Sequence, residues 1–165
     1  MLPPSPWTEE GFPCIVRKAR AVRRARPGSP AAVPRVVETE FRVRYAETDA
    51  MGVAHHANYF VWFEAGRTEY TRVVGLPYRE VEAGGVRLVV IEAHCRFHRP
   101  ARYDDVVVVR TSLRDMSKAT LTFAYDVVAK GDGARLAGGY TVHAATDVSG
   151  RVRRMPVSVR TALGA

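Results

Sequence analysis

The stretch Tyr45–Tyr70, "YAETDAMGVAHHANYFVWFEAGRTEY", sets an aspartate among small residues and then runs into an aromatic-rich segment. From Asn58 onward, Tyr59, Trp62, Phe63, Gly66, Tyr70 and Val73 recur at helical spacing, which predicts a helix with one buried face. Glu64 with Arg67 and Glu69 with Arg72 stand three apart on its polar side, and Gly75 followed by Pro77 ends it. Glycine inside a helix is costly, so Gly66 predicts another backbone passing close by.

Upstream, "VVETEFRVRYAET" alternates apolar and polar residues, with Phe41, Val43 and Tyr45 on one side, the period of a half-buried strand. Downstream come four β-rich runs, "VRLVVIEAHCRFH", "DVVVVRTSLRD", "ATLTFAYDVVA" and "RLAGGYTVHAATD". The short connections "RPARYDD", "DMSK" and "KGDGA" imply antiparallel neighbours. One strand, one long helix and four strands give an α+β domain in which the helix covers one face of a five-stranded antiparallel sheet. The closing "RVRRMPVSVRTAL" reads as a short strand and a final helical turn.

A chain of 165 residues, 47% of them hydrophobic, has length for one ordinary domain and its core. Seven of the ten prolines fall in the first 34 residues, which predicts a flexible Pro/Arg-rich tail over 1–35 and a folded domain over 36–165. The charge of +8 is mostly the tail's, since residues 36–165 hold 18 basic and 15 acidic side chains. A net of +3 is too mild for a domain that grips a polyphosphate backbone, so no nucleic-acid partner is expected. Two cysteines, Cys14 and Cys95, build neither a disulfide framework nor a thiolate metal cage and fit a reducing cytoplasm. No apolar run approaches the roughly 18 residues that span a bilayer.

Gly52 allows a tight backbone approach between Asp49 and the helix start near His55 to Asn58. A helix start presents unpaired N–H groups and partial positive charge, which bind an oxygen that turns anionic during a reaction. With a carboxylate alongside, this is the minimal kit for hydrolysing an activated acyl group. The same pattern is met by an Asp49 that merely caps a turn, with Thr48 doing likewise. His55 and His56 are adjacent and diverge, so they do not have metal-ligand spacing; His94 and His98 share a strand face by period two. Ser117 and Lys118, and likewise Arg99 and Arg102, stand in loops where they either meet a phosphate or are solvated turn residues. G-x-S-x-G, P-loop and G-x-G-x-x-G patterns are absent, which removes the motif basis for serine-hydrolase and nucleotide chemistry.

The stretch "VRYAETDAMGVAHHANYFVWFEAGRTEY" resembles the hotdog-fold acyl-CoA thioesterases of the 4-hydroxybenzoyl-CoA thioesterase type, in particular the Tol-Pal-associated branch. Its motif there runs Asp, small residues, Gly, two apolar residues, an aromatic or His, His, and a helix beginning with Tyr. "FHRPARYDDVVVV", "SKATLTFAYDVV" and "GRVRRMPVSVR" extend the resemblance from about Val36 to about Arg160. It implies a long helix wrapped by a five-stranded sheet, homodimers or homotetramers joined through sheet edges, and an active site at the subunit interface. Carried over by position, Asp49 is the catalytic carboxylate, the His56 N–H the oxyanion donor, and the His56 side chain a group that positions substrate or water. Gly52, Asn58 and Tyr59 fall on the substrate side, and Arg99 and Lys118 on regions that meet coenzyme A phosphates. His55 departs from the aromatic or apolar residue usual there, and residues 1–35 have no counterpart. A thioester is already activated, so the resemblance implies no cofactor, coenzyme A being part of the substrate. A non-catalytic module that binds acyl-CoA or an acyl carrier protein is the alternative from another class.

Overall fold

The computed structural model describes residues 36–164. The segments are β1 (Val37–Arg42), α1 (His56–Val73), α2 (Tyr78–Ala83), β2 (Arg87–Phe97), β3 (Val106–Met116), β4 (Thr120–Ala129), β5 (Arg135–Thr146) and α3 (Val157–Ala162). The tail expected over 1–35 lies outside the described residues. All five strands join one antiparallel sheet in the order β1-β3-β4-β5-β2, the α+β hotdog architecture.

Strand alternation explains which face carries α1. In β3, Val107, Val109 and Thr111 are buried, and in β4 so are Leu121, Phe123, Tyr125 and Val127. The other face of β3 and β4 carries charge pairs, among them Arg110 with Glu38 at 2.8 Å and Arg135 with Asp126 at 2.6 Å. Against the apolar face α1 lays Trp62, Phe63, Gly66 and Tyr70. Phe63 stacks on Tyr125 at 4.2 Å between ring centroids, and Tyr70 meets Phe123 edge-on at 5.6 Å. Each such aromatic side chain, fully buried, contributes on the order of 1.5–3 kcal/mol.

Gly66 sits where α1 packs tightly against the sheet. A Cβ there would stand 2.6 Å from Thr111 Oγ1 and 3.1 Å from Val109 Cγ1. The close neighbours are thus side chains of β3, where the sequence had suggested a passing backbone.

Other departures from the sequence expectations have local causes. β1 ends at Arg42, and Tyr45 opens a 3-10 turn (Tyr45–Glu47), so Tyr45 is 79% exposed instead of facing inward with Val43. Val73 lies at the end of α1, where the helix has left the sheet, and is exposed. α2 was not anticipated: six residues are too few to show a helical period. Near the C-terminus Val152 makes a single bridge to Thr146 before α3.

One topological expectation is corrected. β2 and β3 are joined by a short connection but are not neighbours, because β2 pairs with β5 at the sheet's edge. The connecting residues cross the end of the sheet instead. His98 N–H and Arg99 N–H both donate to Leu136 O, Ala101 N–H donates to Tyr59 Oη at 3.4 Å, and Ala54 N–H donates to Ala101 O at 2.8 Å. The crossover therefore passes under the start of α1 and supplies one wall of the groove described next.

Candidate active site

The chain between β1 and α1 is folded back on itself. A bridge between Thr48 and Ala54 closes a tight loop in which Asp49 N–H donates to Val53 O at 3.0 Å and Gly52 N–H to Asp49 O at 2.9 Å. Gly52 has φ +71°, with nothing within 4 Å of a Cβ placed there. It is needed for its left-handed backbone, not for the close approach the sequence suggested. Asp49 does cap this turn, since its Oδ1 accepts Met51 N–H at 2.8 Å. Its second oxygen has no partner among the described residues.

His55 is the cap residue of α1, its backbone extended and its Nδ1 accepting Ala57 N–H at 3.4 Å. Its own N–H donates to Glu47 O at 2.8 Å. The next amide, His56 N–H, has no partner among the described residues and belongs to the first turn, where helix amides point outward with partial positive charge. Asp49, His56, Tyr59, Phe97, Arg99 and Pro100 line one groove of about 320 Å³. Tyr59 forms its inner surface, 2% exposed, with its ring edge-on to Phe97 at 5.0 Å. Burial pushes the Tyr59 hydroxyl above its ordinary range, so it stays a neutral hydrogen-bonding group.

Of the seven residues singled out from the sequence, Asp49, His56, Tyr59 and Arg99 line this groove. Gly52 shapes the loop beside it. Asn58 turns its Nδ2 onto Glu47 O at 2.7 Å and is not among the groove residues. Lys118 lies in the β3–β4 turn, its carbonyl accepting Met155 N–H at 2.7 Å, and is likewise outside the groove within one chain. Arg99 is tethered to Asp132 at 3.4 Å and borders a second, wider groove that reaches Lys130.

Sequence reasoning missed Phe97, Pro100 and Glu47. Phe97 reaches the site from the last position of β2 and Pro100 from the crossover that follows, contacts between distant segments that leave no periodic trace. Glu47 is 5% exposed and accepts three hydrogen bonds on its carboxylate, one of them from Trp62 Nε1 at 3.2 Å. Burial alone would raise its pKa; the Arg44 side chain, the Arg44 and Trp62 N–H groups and the Arg44 charge outweigh that and hold it below the usual carboxylate range.

The histidines separate. His55 and His56 rings lie 4.1 Å apart, tilted on one another. His94 stacks on Tyr140, while His98 falls just past the end of β2 and lines the groove, so the two do not share a strand face. Among the described residues no three His, Cys, Asp or Glu side chains gather as a metal ligand set. Burial pushes the Cys95 thiol up to about 11, which removes it as a nucleophile near neutral pH.

The model of the thioesterase-like superfamily matches residues 43–163, from the strand end before the Asp49 loop through α3. The chain belongs to that superfamily. It is 34% identical over 87 residues to the acyl-CoA thioester hydrolase YbgC of Escherichia coli O6:H1, a match covering 53% of this chain and 65% of that one. A hypothetical protein of Thermus thermophilus, TT1821, superposes with a TM-score of 0.72 at 43% identity, covering 78% of this chain and 95% of the other. The DHNA-CoA thioesterase of Staphylococcus aureus superposes with a TM-score of 0.74 at 27% identity, covering 77% and 87%. Two of these three, the Escherichia coli and Staphylococcus aureus proteins, carry names of thioester-hydrolysing enzymes, and the superfamily's fold is the one described above. No helix among the described residues is long and apolar enough to cross a membrane.

Proposed function

We propose that this protein is an acyl-CoA thioesterase of the 4-hydroxybenzoyl-CoA thioesterase type, near the Tol-Pal-associated branch in its motif, with Asp49 as the catalytic carboxylate. The observation that carries this is the pairing in one groove of a carboxylate oxygen and a helix-start N–H, neither of which has a partner among the described residues. A thioester carbonyl seated between them has its oxygen toward the His56 N–H and its carbon toward Asp49. Asp49 either attacks that carbon or takes a proton from the water that does; the negative charge that develops on the oxygen is held by the His56 amide and the helix end behind it. Collapse of the tetrahedral species breaks the C–S bond and expels the coenzyme A thiolate; where water attacked, this leaves the carboxylic acid, and where Asp49 attacked, it leaves a mixed anhydride with Asp49 that a water molecule then hydrolyses, releasing the acid and the free carboxylate.

In this reading the His56 side chain orients substrate or water, Tyr59 walls the acyl side, and Arg99 and Lys118 meet phosphates of coenzyme A, Lys118 across a subunit boundary. Asn58 acts indirectly, by holding Glu47 O. No cofactor is needed, since the thioester supplies its own activation. The partner is a second copy of the chain: among the described residues β2 pairs along one edge and leaves Val89, Val90 and Ile91 44–59% exposed, a sheet edge that an identical edge completes. Cytoplasmic acyl-CoA, or an acyl carrier protein bearing the same thioester, is the substrate source.

The test is release of free thiol from short, long and aromatic acyl-CoAs and from an acylated carrier protein. Steady turnover of at least one supports the proposal. Tight binding of acyl-CoA without thiol release from any of them identifies a non-catalytic binding module instead.

A further inference from the structure

We infer that Glu47 is a positioning residue, whose buried carboxylate and carbonyl together hold the Asp49 loop against the start of α1 and so set the gap between the Asp49 carboxylate and the His56 N–H. The inference rests on the assignment of Asp49 made above.

Five hydrogen bonds converge on this one residue. Its Oε2 accepts Arg44 N–H at 2.8 Å, and its Oε1 accepts Arg44 Nη2 at 3.1 Å and Trp62 Nε1 at 3.2 Å. Its carbonyl accepts His55 N–H at 2.8 Å and Asn58 Nδ2 at 2.7 Å. Three of the five donors, His55, Asn58 and Trp62, lie along one side of α1 at spacings of three and four, so Glu47 is pinned along the helix's first two turns. Asp49 is two residues further on, inside a loop whose Thr48–Ala54 bridge leaves it no slack. His56 sits between two of the anchored helix positions. The distance between the two groups of the proposed chemistry is therefore spanned by Glu47 and the loop that it anchors.

The residue type follows from the donors. Every group that meets the carboxylate is an N–H, so both oxygens must accept, which an ionised carboxylate does and an amide cannot. Glutamine in the same place would turn its NH₂ toward either the Arg44 amide or the Trp62 indole, donor against donor. Aspartate is one methylene short of Trp62. A displacement on the scale of 1 Å at a reacting group costs on the order of 100-fold in rate.

The experiment compares the wild-type enzyme with Glu47→Gln, Asn58→Ala and Asp49→Asn, all in a Trp7→Phe background so that Trp62 is the sole tryptophan. Circular dichroism and urea unfolding fix a temperature at which each variant is fully folded, and kcat and KM for an acyl-CoA are measured there. Glu47→Gln is expected to shift the Trp62 emission and lower kcat at least about 10-fold while KM changes less than about 2-fold. A merely structural role lowers the unfolding midpoint and leaves kcat of the folded enzyme unchanged; that result overturns the inference. If Glu47→Gln does not fold, Asn58→Ala decides: a several-fold fall in kcat at constant KM supports the inference, and an unchanged kcat or a change confined to KM overturns it. Asp49→Asn with retained turnover refutes the underlying assignment instead, whatever the Glu47 variants do.

Discussion

Acid should destabilise this protein in part through one buried histidine. His143 in β5 is 1% exposed, its Nε2 within 2.8 Å of Thr141 Oγ1, which in turn lies 2.7 Å from the Tyr125 hydroxyl. Burial and then the nearby charge of Arg67 push its pKa down from 6.5 to about 4, partly offset by a hydrogen bond with the Leu88 backbone. Below pH 6.5 the unfolded chain takes up a proton that the folded chain refuses, so the stability that the neutral ring contributes is fully present above that value and drains away as pH falls toward about 4. Well inside that window each pH unit descended removes somewhat more than about 1 kcal/mol, and less near either end. Moving from pH 7 to pH 4.5 therefore removes roughly 2 kcal/mol, a large share of an ordinary domain's 5–15 kcal/mol. The assay is urea unfolding at both pH values for the wild type and for His143→Gln. The remaining histidines and all the carboxylates are common to both proteins and cancel. The wild type should lose roughly 2 kcal/mol more than the variant; equal losses would refute the reasoning.

Three further outcomes are expected. Gly66→Ala gains up to about 1 kcal/mol of helix propensity but drives a methyl group into Thr111 and Val109, an overpacking cost of about 1–3 kcal/mol, so it should lower the urea midpoint, and less so in a Thr111→Ala background; a raised midpoint contradicts the close packing. Gly52→Ala must hold φ +71° with a side chain, a strain of about 1 kcal/mol or more, and should reduce kcat more than stability because the strained turn carries Asp49; an unaffected kcat separates the loop from catalysis. Ile91→Lys puts a charge on β2, an edge strand among the described residues, and should convert the proposed dimer to monomers in sedimentation velocity, while an unshifted dimer places the interface elsewhere.

The sequence made the long-period features legible and left the cross-chain ones hidden. α1 announced itself because Tyr59, Trp62, Phe63, Gly66 and Tyr70 are all buried on one helical face, and β4 because Leu121, Phe123, Tyr125 and Val127 alternate with half-buried residues. The pairing of β2 with β5 was not legible. Alternation says that a strand has an inner face but not which strand lies beside it, and the short β2–β3 connection suggested the wrong neighbour. At the candidate site the adjacency of Asp49 to a helix start could be read along the chain, because both lie within a few residues. The wall made by Phe97 and Pro100 could not, since it depends on where the end of β2 and the crossover after it pass α1. Glu47 escaped for another reason: a buried glutamate looks like any surface glutamate until the donors around it are known.

Everything chemical in the account turns on the carboxylate of Asp49, and replacing it by an isosteric amide is the most direct trial. Thiol release from an acyl-CoA that the wild type hydrolyses should fall by at least about 100-fold in Asp49→Asn, with circular dichroism and oligomeric state unchanged. Turnover within a few-fold of wild type in that folded variant would contradict the account.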